Sequence, residues 1–361
     1  EIESTAVLDF GFHFILNNRP YILKSIPRAL EMGIKSFKMF MTYKKNRIRM
    51  CDDDYICEAM EMVAKGGGVV QLHCESGNII DYLENKLISD GCIHPTDFPA
   101  ACPDWAEEEA INRAVKMGAV TNCPIYVVHL SSQVGLERIK QAQAQGQRVW
   151  TETCPQYLLL SDEEMAKVGP LAKIGPPLRP KDGPDQPALW KGLELGFIST
   201  IGSDHSPSPP ESKPAGWDNI FVGPDGTPIP FGSPGVETAA PLAYSEGVAK
   251  RGLPISWLAR AMSENPARIF GLYPRKGIIQ VGSDADLTII NPDDSMVIKA
   301  ADHHGNTGYS LFENWKLNGK PWMSLLRGQI LLNQGVLEQK PGYGSFLECA
   351  GPRSPMGGPI R

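Results

Sequence analysis

Six times before about residue 270, a short run apolar on both faces ends in polar residues and gives way to a helical stretch. The runs are Val7–Phe12, Ser36–Met41, Val69–Leu72, Ile125–Val128, Arg148–Thr151 and Ile198–Ile201. Helix-like segments lie between them, among them Pro20–Met32, Cys51–Lys65, Trp105–Met117 and Val134–Gln145, with glycine stops at Gly33, Gly66 and Gly146. Strands buried on both faces and alternating with helices imply a parallel sheet covered by helices. A closed barrel of this type has eight strands, and six are countable here.

After residue 272 the beat changes. Asp286–Ile290, Met296–Ile298 and Gln329–Leu332 are short strands punctuated by Gly, Asn and Asp turns, which predicts an antiparallel β appendage over 273–361. From Gly351 the chain is rich in Gly and Pro and reads as a loose or docking tail. The eight cysteines form no C-x-x-C pair, so they are expected to be reduced and mostly buried. A net charge of −6 argues against a nucleic-acid partner. No apolar run approaches the roughly 18 residues of a membrane span. A soluble, cytoplasmic protein is expected.

The chemistry is concentrated at strand ends. Lys38 sits in Ile34-Lys35-Ser36-Phe37-Lys38-Met39-Phe40-Met41, a strand apolar on both sides. Burial there pushes an ammonium towards the neutral amine, which can combine with carbon dioxide to give a carbamate, an anionic oxygen ligand. Taken alone, Lys38 also fits a lysine reaching from a strand end to solvent. His73 ends one apolar run and His129 another, while Asp204 ends Ile198-Ser199-Thr200-Ile201-Gly202-Ser203-Asp204. β/α-barrel enzymes collect catalytic groups at the carboxyl ends of their strands. Two His, a Lys and an Asp at four such ends suit Zn²⁺. His94, His303 and His304 lie in polar loops and carry less weight. His205 fits a supporting position beside Asp204, and His13, read as ending the first strand, could approach a metal.

At these residues the chain resembles the cyclic amidohydrolases, specifically the hydantoinase/dihydropyrimidinase branch. The resemblance rests on the segment from Ser36 to Lys44, on His73-Cys74-Glu75-Ser76-Gly77-Asn78 and on Tyr126-Val127-Val128-His129-Leu130-Ser131. It continues through Pro176-Pro177-Leu178-Arg179, Ser203-Asp204-His205, Pro234-Gly235-Val236-Glu237, Asn265-Pro266-Ala267-Arg268, the segment from Lys276 to Leu287, and that from Lys340 to Phe346. It implies an α/β fold, a metal-dependent (β/α)₈ TIM barrel, here with about strands 3 to 8 in residues 1–272 and a small C-terminal β-sandwich part in 273–361. It implies two Zn²⁺ bridged by N6-carboxylysine at Lys38 and a hydroxide. His73 and His129 would bind the second metal, and Asp204 would bind the first and shuttle the proton. Tyr43 would hydrogen-bond the oxyanion. The substrate would be a small cyclic amide, opened to the N-carbamoyl amino acid, and the assembly a homo-oligomer, tetramer or dimer.

The sequence departs from that pattern in three places. It has no His-x-His pair for the first metal. The first two barrel strands are missing with it, so an N-terminally incomplete chain is expected. Gly175 stands where a serine is usual and Phe231 where an asparagine is usual, both at substrate-amide contacts. An allantoinase and a non-catalytic scaffold relative are the alternatives.

Overall fold

The computed structural model describes residues 2–45 and 48–355. Six parallel strands stand side by side in chain order: β1 (Phe14–Ile15), β2 (Ser36–Phe40), β3 (Val69–His73), β4 (Ile125–Val127), β5 (Val149–Thr153) and β6 (Thr200–Ile201). Register pairs Ile15 with Lys38, Lys38 with Gln71, Phe40 with His73 and Glu152 with Thr200. Helices Asp53–Lys65, Asp104–Val120 and Gln133–Ala144 make three of the crossovers.

The period-two pleat sorts the side chains of each strand. On β3, Val70 and Leu72 join the large core cluster beneath the helices. Val69, Gln71 and His73 face the other way, where Val69, Tyr126, Val128, Trp150 and Ile269 form a separate inner cluster. That inner face carries the site, and the apolar cluster under it excludes water.

The first expected strand is displaced. Residues 7–12 do not join the sheet; Phe10 bridges to Phe346 and Phe12 stacks on the Phe346 ring at 5.6 Å. Asp9 explains the diversion, because Lys276 Nζ donates to it at 2.7 Å and Arg327 Nη1 also holds it. A carboxylate with two such partners anchors the segment against the C-terminal part, and the strand starts at Phe14. The expected helix Pro20–Met32 is two, Pro20–Leu23 and Ile26–Glu31. Pro27 lies in the first turn of the second, where its missing N–H costs nothing. After Lys65 the left-handed conformation falls on Gly67 (φ 66°) rather than Gly66.

The four-stranded antiparallel sheet contains β7 (Leu287–Val297), β8 (Lys316–Leu326), β9 (Gln329–Asn333) and β10 (Val336–Leu337), in the order β10-β9-β8-β7. The two strands expected near 286–298 are one bulged strand, with register shifts between Ile289 and Ile290 and between Asn291 and Ser295. All eight cysteines are free and five are buried. Residues 356–361 of the expected tail lie outside the described residues. Among the described residues no helix is long and apolar enough to cross a membrane.

Candidate active site

Lys38 projects from the middle of β2 onto the inner face. Desolvation lowers its pKa from 10.5 to about 8, against the pull of the Asp204 and Glu152 carboxylates. Burial thus favours the neutral amine more than it does for an ordinary surface lysine.

His73 and His129 meet edge to face with ring centroids 4.3 Å apart, and both are buried. Burial drives both imidazoles well below 6.5, helped by Lys38 and by Arg49 for His73, and by His73 and Lys38 for His129. Both rings are therefore neutral near pH 7, the form that ligates metals. Nε2 of His73 shares a 2.6 Å hydrogen bond with Glu75 Oε2. Burial raises that carboxyl to about 7, with Arg179 opposing. The bond fixes the ring and leaves Nδ1 as its other nitrogen, the usual arrangement for a ligating histidine. Nδ1 of His129 is buried with no hydrogen-bond partner, and so is Oε1 of Glu75. Two neutral imidazoles, one with an orphaned ring nitrogen, and the buried Lys38 amine form a donor set that fits a divalent cation.

Several backbone features aim these groups. His129 (φ 41°), Asp204 (φ 46°) and Tyr43 (φ 68°) all adopt the left-handed conformation that non-glycine residues avoid. Strain of this kind persists where the surroundings over-determine it. At His129 the surroundings are explicit. Its backbone N–H donates to Glu152 Oε1 at 3.3 Å, and Ser131, two residues on, is gripped by Glu107 through N–H and Oγ at 2.9 Å each. Arg179 Nε donates to Ser131 Oγ at 3.0 Å, tying the Pro-Pro-Leu-Arg segment to the same loop. Asp204 is half-buried; desolvation raises its carboxyl to about 7, with Lys38 opposing and Glu152 adding to the rise. A carboxyl titrating near neutrality can both take and give a proton.

Tyr43 lies with its ring 5.1 Å from His73 and 5.2 Å from Phe231. Burial and the Glu75 and Asp204 carboxylates raise its phenol well above 10, so it stays a donor. A Cβ on Gly175 would stand 3.0 Å from the Tyr43 hydroxyl. The fold thus brings Lys38, Tyr43, His73, His129, Asp204, Gly175 and Phe231 to one end of the sheet. A cavity of about 310 Å³ opens on the Tyr43–Phe231 side and is walled by Ile80, Phe221 and Ile229; the two histidines lie outside its lining.

His13 does not end a strand as expected, but the Lys38 charge reaches it and adds to desolvation in lowering its pKa to about 4. It precedes β1, and its Nδ1 makes hydrogen bonds to Ser36 Oγ at 2.9 Å and Gln71 Nε2 at 2.6 Å, one pleat below Lys38. His205 is exposed and accepts from the N–H groups of Gly235 and Val236. His94 caps the short helix Pro95–Asp97, and His304 pairs with Glu237. Two acidic residues went unread in the sequence. Glu75 supports His73, and Glu152 accepts from Tyr126 Oη at 2.8 Å while facing Lys38 and Asp204. The signal for Glu152 is a carboxylate at an inward position of a strand whose other residues are all buried.

A parallel α/β sheet that gathers buried His, Lys and Asp side chains on its inner face defines a hydrolase of the α/β-barrel class. The chain belongs to the amidohydrolase family, whose model matches residues 22–331, and within it to the hydantoinase/dihydropyrimidinase branch. It is 36% identical over 350 residues to a D-hydantoinase of Geobacillus stearothermophilus, covering 96% of this chain and 72% of that one. An L-hydantoinase of Paenarthrobacter aurescens is 33% identical over 329 residues, 91% of this chain and 70% of the relative. The crystal structure of a dihydropyrimidinase from Brevibacillus agri superposes with a TM-score of 0.90 at 32% identity, covering 97% of this chain and 75% of the other. The fold is therefore of the amidohydrolase TIM-barrel type. The family is generally metal-dependent, and the hydantoinase relatives act on small molecules.

Proposed function

We infer that this chain is a hydrolase that opens the C–N bond of a cyclic amide or imide ring, of hydantoin or dihydropyrimidine type, to give the N-carbamoyl amino acid. The observation that carries the reading is the buried, neutral His73–His129 pair beside a buried lysine whose pKa desolvation lowers. The neutral Lys38 amine adds to carbon dioxide, an N–C bond forms and the displaced proton leaves to solvent. The resulting N6-carboxylysine, with His73 and His129, would hold Zn²⁺, and Asp204 would complete a second, weaker position. Bound there, the metal would lower the pKa of water and polarise the ring carbonyl. Asp204 takes the proton of the attacking water and delivers it to the leaving ring nitrogen. Tyr43 donates to the oxygen that gains negative charge. Gly175 and Phe231 shape the space beside it.

Allantoinase and scaffold readings are not favoured, since the relatives described above are hydantoinases and dihydropyrimidinases. We take residues 1–272 as the barrel unit and 273–361 as the β-sandwich part, in a cytoplasmic homo-oligomer, tetramer or dimer. The test is product identity. Zinc-loaded protein given 5-phenylhydantoin is expected to release the carbamoyl acid, whereas recovery of intact ring would count against the reading.

A further inference from the structure

The charge of the 310 Å³ cavity is unbalanced. Four of its charged side chains pair off at the rim, Lys44 with Asp81 at 3.6 Å and Lys45 with Glu84. Glu75 shares a hydrogen bond with the neutral His73 ring, and burial raises its carboxyl to about 7, so it offsets only part of the remaining positive charge. Two cations remain without a carboxylate partner among the described residues. Lys173 is 2% exposed and spends its ammonium on the carbonyls of Ile220 (2.8 Å) and Ile229 (2.9 Å). It lies 4.5 Å from the centroid of Phe231. Arg49 is exposed, with its guanidinium 5.2 Å from the Phe40 ring and 5.8 Å from the Tyr43 ring.

The two rings that border the reacting position, Tyr43 and Phe231, are thus each backed by a cation. The protein as a whole carries −6, so this positive wall is local. The Lys173 ammonium is hydrogen-bonded by carbonyls alone, and although the Glu84 carboxylate bears on it, no salt bridge to it forms among the described residues and little water screens it. An exposed guanidinium held over aromatic faces keeps its hydrogen-bonding edge for a planar anion. The apolar wall of Ile80, Phe221, Ile229 and Phe231 suits the methylenes of a short side arm.

We propose that the cavity receives a ring substituent that ends in a carboxylate, contacted by Arg49, so that the preferred substrates are carboxyalkyl cyclic amides. This rests on the cyclic-amide reading above and names the substrate class within it.

The test compares 5-(2-carboxyethyl)hydantoin with its primary amide, which has the same length and no charge. Binding is measured by calorimetry to zinc-loaded Asp204→Asn protein, in which turnover is slow. The acid is expected to bind about tenfold more tightly, a modest value for one charge-assisted contact, and Arg49→Gln in the same background is expected to bring the two affinities together. Equal affinities at the outset, a preference that survives Arg49→Gln, or binding of neither compound would overturn the proposal. Ring opening of the neutral amide by the unmodified protein is scored separately. If the amide is opened with no preference for the acid, the hydrolase reading stands and this one falls.

Discussion

Gly175 and Phe231 share one space: a Cβ on Gly175 would meet Cδ1 of Phe231 at 3.3 Å and the Tyr43 hydroxyl at 3.0 Å. Both contacts are tighter than side chains usually tolerate, so the glycine and the phenylalanine require each other. Gly175→Ser alone is expected to lower kcat/KM on 5-phenylhydantoin about tenfold by pressing on Tyr43. Adding Phe231→Asn is expected to recover part of that loss. The coupling in a double-mutant cycle is expected to be about 0.5–3 kcal/mol, the range for residues in contact. Additive effects would mean that the two positions act separately.

Lys38→Ala removes the group that would carry the carbamate. Zinc content, measured by elemental analysis, is expected to fall to background, and short carboxylic acids added during loading are expected to restore part of it. The unmodified chain is expected to hold clearly under two zinc ions, because its sequence offers no His-x-His pair. Unchanged zinc in Lys38→Ala, or two tightly held ions in the unmodified chain, would overturn the ligand assignment.

Asp204→Asn keeps the size of the side chain and removes its proton chemistry. Turnover is expected to fall by about 10²–10⁴, the usual range for losing general acid–base help, with the circular dichroism spectrum unchanged. A variant that keeps full turnover would place the proton transfer elsewhere.

The Asp9 cluster predicts an acid-sensitive clamp. Burial alone would raise the Asp9 carboxyl, but hydrogen bonds from Lys276 and Arg327 outweigh it, and the folded pKa lies below 3.8. The contribution of the clamp is then complete above about pH 4 and is lost as pH falls through that lower folded value. Asp9→Asn is expected to destabilise the protein by about 1–3 kcal/mol at pH 7, and the gap from wild type is expected to close in strong acid. A gap that widens below pH 4 would contradict the sign.

The candidate site was legible because its parts lie in or just after buried strands: Lys38 inside β2 rather than at its expected end, His73 at the end of β3, and His129 and Asp204 just past β4 and β6. Lys38, His73, His129 and Asp204 interrupt runs that are otherwise hydrophobic, and burial of a polar group is the rare event that marks function. What escaped the sequence depends on contacts remote along the chain. Residues 7–12 have the composition of a strand, and only the grip of Lys276 and Arg327 on Asp9 shows that they pair elsewhere. Glu75 and Glu152 look like ordinary acids until the fold sets one against His73 and the other beneath His129. That no carboxylate pairs with Arg49 among the described residues likewise becomes visible only once its neighbours are in place.

The most direct measurement of the central claim is a ring-opening assay of the zinc-loaded protein on dihydrouracil, hydantoin, 5-phenylhydantoin, allantoin and dihydroorotate. The account predicts carbamoyl product from the hydantoins, with phenylhydantoin tolerated beside Phe231 and dihydrouracil used more weakly. Activity on allantoin alone, or on none of the five with metal fully loaded, would contradict it.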